Sequence, residues 1–173
     1  MTGLSGSGKS SICRVLYQKL KQDLHGLVLL DGDDVRAAFG HDLGYEESDR
    51  VIQVKRVQAL ARMLAAQGIS VIVAVVYCSQ DLMRWNRVNI PNYLEVYLET
   101  SMETVVQRDS KGLYSLEKNS GVVNVVGVDI PWNPPPLPDL TLNGNGSVSP
   151  ESLADKILEC LSPWRSAPNS EHA

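Results

Sequence analysis

The run Gly3-Leu4-Ser5-Gly6-Ser7-Gly8-Lys9-Ser10 constrains the fold more than any other segment of the chain. Its spacing is G-x-x-x-x-G-K-[ST], a glycine-rich loop that joins a strand to a helix and holds phosphate. Gly3, Gly6 and Gly8 carry no Cβ, so the backbone can curl and point several N–H groups at one anion. Lys9 adds a charge that reaches the β- and γ-phosphates, and the Ser10 hydroxyl suits Mg²⁺, a hard cation that takes oxygen ligands. Ser11-Ile12-Cys13-Arg14-Val15-Leu16 reads as the following helix, whose N-terminal dipole also favours phosphate. The competing reading is a chance glycine-rich turn. Only Met1 and Thr2 precede Gly3. The hydrophobic strand expected before such a loop, in the middle of a parallel sheet, is therefore expected to be missing from the N-terminus.

The rest of the chain reads as alternating strands and helices. Leu27-Val28-Leu29-Leu30 is a short apolar run that ends at Asp31-Gly32-Asp33. Val51, Val54, Val57, Leu60, Ala61 and Leu64 fall at helical spacing within residues 48–67, and Gly68 ends that helix. Ile69 to Tyr77 predicts a buried strand, Asp81 to Asn89 a helix, Tyr93 to Leu98 a strand and Ser101 to Arg108 a helix. Leu140 to Leu142 and Pro150 to Leu161 predict a last strand and a last helix. This alternation predicts an α/β fold, a P-loop NTPase-type parallel sheet with helices on both faces. Ligands then bind at the C-terminal ends of the strands. Residues 1–162 are expected to form one kinase domain and 163–173 a disordered tail. Residues 110–138 fit no regular element and predict a lid over the phosphate site.

A net charge of −4 argues against broad binding to nucleic acid or to an anionic membrane, so any basic phosphate site is local. No apolar run approaches the roughly 20 residues of a membrane span, and no signal peptide is visible. Cys13, Cys78 and Cys160 are far apart and predict reduced thiols in a cytoplasmic protein, with neither a disulfide framework nor a zinc site.

Asp31-Gly32-Asp33-Asp34 lies at a strand end. A carboxylate there can accept the proton of an acceptor hydroxyl and help place Mg²⁺; it can equally cap the next helix. Beside a phosphate loop the first reading is favoured, with Asp33 as base or orienting carboxylate and as metal ligand, and Asp31 in support. Arg36, Arg50, Lys55, Arg56, Arg84 and Arg87 are candidate anion clamps, because the planar guanidinium pairs with phosphate or sulfate oxygens in bidentate fashion. Each is also read as an ordinary surface charge. Arg108-Asp109-Ser110-Lys111-Gly112-Leu113-Tyr114 places two cations at the start of the lid. His25, His41 and His172 are scattered, and Trp85 and Trp132 read as packing residues.

With these segments in hand, the chain resembles the adenylylsulfate kinase family over about residues 3–143. The segments are the phosphate loop, Leu30-Asp31-Gly32-Asp33-Asp34-Val35-Arg36, Leu43-Gly44-Tyr45, Asp49-Arg50, Arg108 to Tyr114, Gly127-Val128-Asp129 and Pro138. The resemblance implies transfer of the ATP γ-phosphate to the 3′-hydroxyl of adenylylsulfate with Mg²⁺. It implies ATP at Gly3 to Ser11 and catalysis by Lys9 and Asp33 with Asp31. It also implies an acceptor held by Arg36, Tyr45, Arg50, Gln53, Lys111, Gly112 and Leu113. A homodimer is a family expectation, and a fused sulfurylase domain stays open. The departures fall on the acceptor side. Asp34, Gln53-Val54-Lys55-Arg56, Val76-Tyr77-Cys78-Ser79 and Val125-Val126-Gly127 replace residues usual in the family. Family members sandwich the acceptor's adenine between aromatic rings. Here Tyr45 supplies one face, and Val125 cannot stack as a ring does. Two alternatives stand beside the main reading: a kinase of another nucleotide-linked acid, such as a cytidine diphosphate derivative, and an inactive nucleotide-binding remnant.

Overall fold

The computed structural model describes residues 1–76, 79–109, 112, 114, 124–146 and 148–165, with side chains to residue 161. Six helices and four strands alternate along it: α1 (Lys9–Leu20), β1 (Leu27–Asp31), α2 (Gly32–Ala38), α3 (Glu47–Ala65), β2 (Ser70–Ala74), α4 (Gln80–Asn89), β3 (Val96–Glu99), α5 (Met102–Arg108), β4 (Leu140–Asn143) and α6 (Pro150–Arg165). β1 pairs with β2 and β3 with β4, both in parallel register.

The expected gap lies between these two pairs, and Met1 and Thr2 occupy it. Met1 N donates to the Val73 carbonyl at 2.6 Å. Val75 N donates back to Met1 O at 3.2 Å. On the other side Thr2 N donates to Val96 O, and Leu98 N to Thr2 O, both at 2.9 Å. A two-residue ladder therefore joins the pairs into one parallel sheet, in the order β1, β2, residues 1–2, β3, β4.

Side chains alternate across that sheet with a period of two. Ile72 packs towards Ile12, Leu16 and Leu20 of α1, Leu98 and Leu142 of the sheet, and Leu153 and Ile157 of α6. Val73 faces the other way, towards Val54 of α3 and Leu82 and Met83 of α4. Helices thus cover both faces, as the alternation predicts. A third cluster gathers Leu4 of the phosphate loop with Val105, Tyr114, Val125, Val126 and Ile130.

Several boundaries differ from the sequence reading, among them the start of β3, at Val96 instead of Tyr93. β2 stops at Ala74, where its pairing with β1 ends at Asp31; Val75 N still bonds Met1 O on the other side. α6 continues to Arg165, beyond the expected domain end at residue 162; residues 166–173 lie outside the described residues. Within the expected lid, residues 124–130 form a compact turn closed by a Val126–Ile130 bridge. That turn is anchored by burial of Val125 and Val126.

Candidate active site

The turn after each strand determines what meets at the C-terminal edge of the sheet. The phosphate loop leaves Thr2 and enters α1 through Gly8, whose φ of +106° favours glycine. Gly3 is required for a second reason: a Cβ there would lie 2.6 Å from the Leu98 carbonyl of β3. Lys9 is buried, and its ammonium donates to Gly3 O at 2.9 Å and Leu4 O at 2.6 Å. The charge is thus held against the loop it serves.

Asp31 ends β1 and caps α2, its carboxylate accepting from Asp33 N at 3.0 Å. The capping reading of this turn holds for Asp31. Buried Asp31 shapes the turn, and Asp33 stands exposed in the first turn of α2. Among the described residues no group of three or more His, Cys, Asp or Glu gathers as a metal site. The oxygens of Ser10 and Asp33 suit Mg²⁺, which takes one or two protein oxygens and fills its octahedron with phosphate oxygens and water.

Arg36 and Arg50 build the neighbouring wall. Arg36, 5% exposed, donates to Leu43 O at 3.0 Å and Gly44 O at 2.7 Å. Its guanidinium lies 4.7 Å from the centre of the Tyr45 ring, within cation–π range. Arg50 donates to Tyr45 O at 2.9 Å and across to Asn124 O at 2.6 Å, and lies 5.7 Å from the same ring. Both arginines therefore brace the 43–45 loop, and Arg50 ties it to the 124–130 turn. Tyr45 is exposed. Gln53 of α3 donates to Gly32 O at 3.0 Å, which joins α3 to the Asp31–Asp33 turn. Its Oε1 is buried with no hydrogen-bond partner among the described residues. Val125 is a core residue, 4% exposed, packed with Leu4, Val105, Tyr114, Val126 and Ile130.

The 124–130 turn is held by Asp129, which accepts from the Asn124 and Val125 amides. Burial pushes the Asp129 carboxyl up, but hydrogen bonds from the backbone of Asn124, Val125, Asp129 and Ile130 outweigh it and hold the group below its ordinary value. Gly112 has a φ of +66°; Lys111 and Leu113 lie outside the described residues, as do Tyr77 and Cys78. Three hydrogen bonds were not read from the sequence, although their donors lie in a segment it singled out. Arg108 donates to Ser7 O at 3.5 Å and Gly146 O at 3.0 Å, and the Tyr114 hydroxyl donates to Ser5 O at 3.1 Å.

The other arginine candidates are engaged elsewhere. Arg56 pairs with Asp42 at 2.6 Å, Arg84 with Asp81 at 3.1 Å and Arg87 with Asp139 at 3.1 Å. Arg87 belongs to a polar chain before β3, in which Asn86 donates to Tyr93 and Tyr93 to buried Glu95. A cavity of about 520 Å³ lined by residues 87–93 adjoins that chain. It lies at the N-terminal end of β3, away from the phosphate loop.

A parallel sheet with a phosphate loop, an acidic strand-end turn and an arginine-braced loop on one edge defines the class: a P-loop phosphotransferase. The adenylylsulphate kinase family model matches residues 1–143. The chain belongs to the adenylylsulphate kinase family. It is 37% identical over 161 residues to the cytidine diphosphoramidate kinase of Campylobacter jejuni, covering 93% of this chain and 94% of that protein. It is 34% identical to the adenylyl-sulfate kinase of Bacteroides thetaiotaomicron, covering 94% and 81%. The solved structure of the Mycobacterium tuberculosis APS kinase CysC in complex with AMPPNP and APS superposes with a TM-score of 0.83. That pair is 31% identical, with 92% of this chain and 94% of that one covered.

Proposed function

We propose that this chain transfers the γ-phosphoryl group of ATP to the 3′-hydroxyl of adenylylsulfate. The observation that carries the reading is the meeting, at one sheet edge, of the phosphate loop, Asp33, and the Arg36–Tyr45–Arg50 wall. Bound ATP with Mg²⁺ supplies the phosphoryl group and the charge that offsets its oxygens. The residues do the positioning, from which most of the acceleration of phosphoryl transfer comes. Lys9, released from Gly3 O and Leu4 O, turns its ammonium to phosphate oxygens. Asp33 orients the acceptor hydroxyl and takes its proton. Arg36, Arg50 and Lys111 offer positive charge to the acceptor's anionic group, and Tyr45 a ring to its base. Gln53 Oε1, held by the Gly32 contact, receives a substrate hydroxyl or amino group. The expectations of a homodimer and a cytoplasmic setting belong to this proposal. Among the described residues no helix is long and apolar enough to cross a membrane.

A second reading has its own support. Val125 sits where the family's second ring is usual and is buried in the core. The relative with 37% identity is named for a cytidine diphosphate derivative. A smaller base with one stacking partner fits a pocket with Tyr45 alone, so a nucleotide-linked phosphoramidate is the alternative acceptor.

Asp33→Asn tests the core of both readings. General-base help is worth about 10²- to 10⁴-fold. Turnover is expected to fall by that much, far more than affinity for the non-hydrolysable analogue AMPPNP. An equal loss of both would make Asp33 structural.

A further inference from the structure

We infer that Tyr114 is a positioning residue for the phosphate loop: its phenol sets the orientation of the Ser5–Gly6 peptide that receives the nucleotide's phosphates. The inference rests on the proposed use of ATP. The phenol donates to Ser5 O at 3.1 Å across 109 positions of sequence, and the residue is 3% exposed. A trans peptide points its C=O and the next N–H in opposite directions. A donor on the Ser5 carbonyl therefore turns the Gly6 N–H to the opposite side. Gly6 has a φ of +74° and Gly8 of +106°, a succession that makes backbone N–H groups converge on an anion.

Three further carbonyls of the loop accept from side chains. Gly3 O and Leu4 O take Lys9, and Ser7 O takes Arg108. When Lys9 swings to phosphate, Tyr114 and Arg108 remain as fixed donors.

Tyr114 is itself held at both ends. Its ring packs with Leu4, Val105, Val125, Val126 and Ile130. Its backbone N–H donates to the Asp109 carboxylate at 3.0 Å, and Gly112 N closes the same turn on Asp109 O at 2.8 Å. Burial, with the Asp109 charge nearby, pushes the phenol above its ordinary range, so it stays a donor across neutral pH. Tyr114 thereby ties Asp109 and Gly112 to the phosphate loop at a fixed point.

The experiment is calorimetric titration of Mg²⁺ and AMPPNP into the wild-type chain and Tyr114→Phe, with a melting curve for each. Removal of one neutral hydrogen bond predicts a roughly 3- to 10-fold rise in Kd for AMPPNP. The acceptor KM and the melting temperature stay near wild type, because the ring remains. If the wild-type chain does not bind AMPPNP, the ATP reading itself fails and the inference with it. If the wild type binds and Tyr114→Phe binds equally well, the inference alone is overturned. Weaker binding accompanied by a collapsed melting curve also overturns it, since a purely structural tyrosine gives that result.

Discussion

Replacing Gly3 by alanine tests the seating of the phosphate loop on the sheet. The added Cβ would stand 2.6 Å from the Leu98 carbonyl oxygen and 3.3 Å from Ser7 Oγ. An ordinary carbon–oxygen contact is about 3.3–3.6 Å, so the gap is short by roughly 0.7 Å or more. The carbonyl cannot retreat freely. Leu98 is fully buried, and its amide is held by Thr2 O at 2.9 Å. Overpacking of this kind costs about 1–3 kcal/mol, and a positive φ imposed on alanine about 1–2 kcal/mol more. Gly8→Ala is the control: its φ is +106° but its Cβ would meet nothing within 4 Å. It carries the backbone cost without the collision. Urea denaturation of the three proteins should place Gly3→Ala about 1–3 kcal/mol below Gly8→Ala, with unchanged m-values. On melting, that difference is roughly 2–12 °C for a domain of this size. Equal stability of the two variants would refute the argument, because the contact with β3 would then impose no constraint.

Two further outcomes follow from the same geometry. Asp31→Ala removes the cap of α2 and should cost about 1 kcal/mol, or roughly 2–4 °C in melting temperature. Asp31→Asn, which caps as well, should restore the stability; normal stability with abolished turnover in Asp31→Asn would give the carboxylate a chemical part beyond capping. The depressed Asp129 carboxyl contributes stability that is full above its unfolded value near 3.8. That contribution is lost as pH falls through the lower folded value. Denaturation at pH 5 and pH 3 should show a steeper acid loss for wild type than for Asp129→Asn, and identical slopes would contradict the assignment.

What was legible in the sequence is what depends on local chemistry. The phosphate loop follows from its glycines and lysine, and α3 from its apolar spacing. The acidic turn was visible but its division of labour was not: Asp31 as cap and Asp33 as exposed carboxylate depend on which side chain meets the Asp33 amide. Arg36 and Arg50 stood out in the sequence as candidate anion clamps. Their bracing of Leu43, Gly44, Tyr45 and Asn124 carbonyls depends on chain segments that meet only after folding. Tyr114 lies in a segment that carries the resemblance, but its bond to Ser5 O gave no signal for the same reason, its partner being 109 residues away. Met1 and Thr2 carry too short a pattern to read as a strand, yet the flanking strands supply their four ladder bonds.

The most direct test is ADP release from ATP and Mg²⁺ with a panel of acceptors that includes adenylylsulfate and several cytidine diphosphate derivatives. The account predicts turnover that depends on adenylylsulfate and on Lys9, with Lys9→Ala inactive but folded. Turnover only with a cytidine derivative would contradict the main reading and establish the second. Absence of turnover with every acceptor would contradict both and leave a nucleotide-binding remnant.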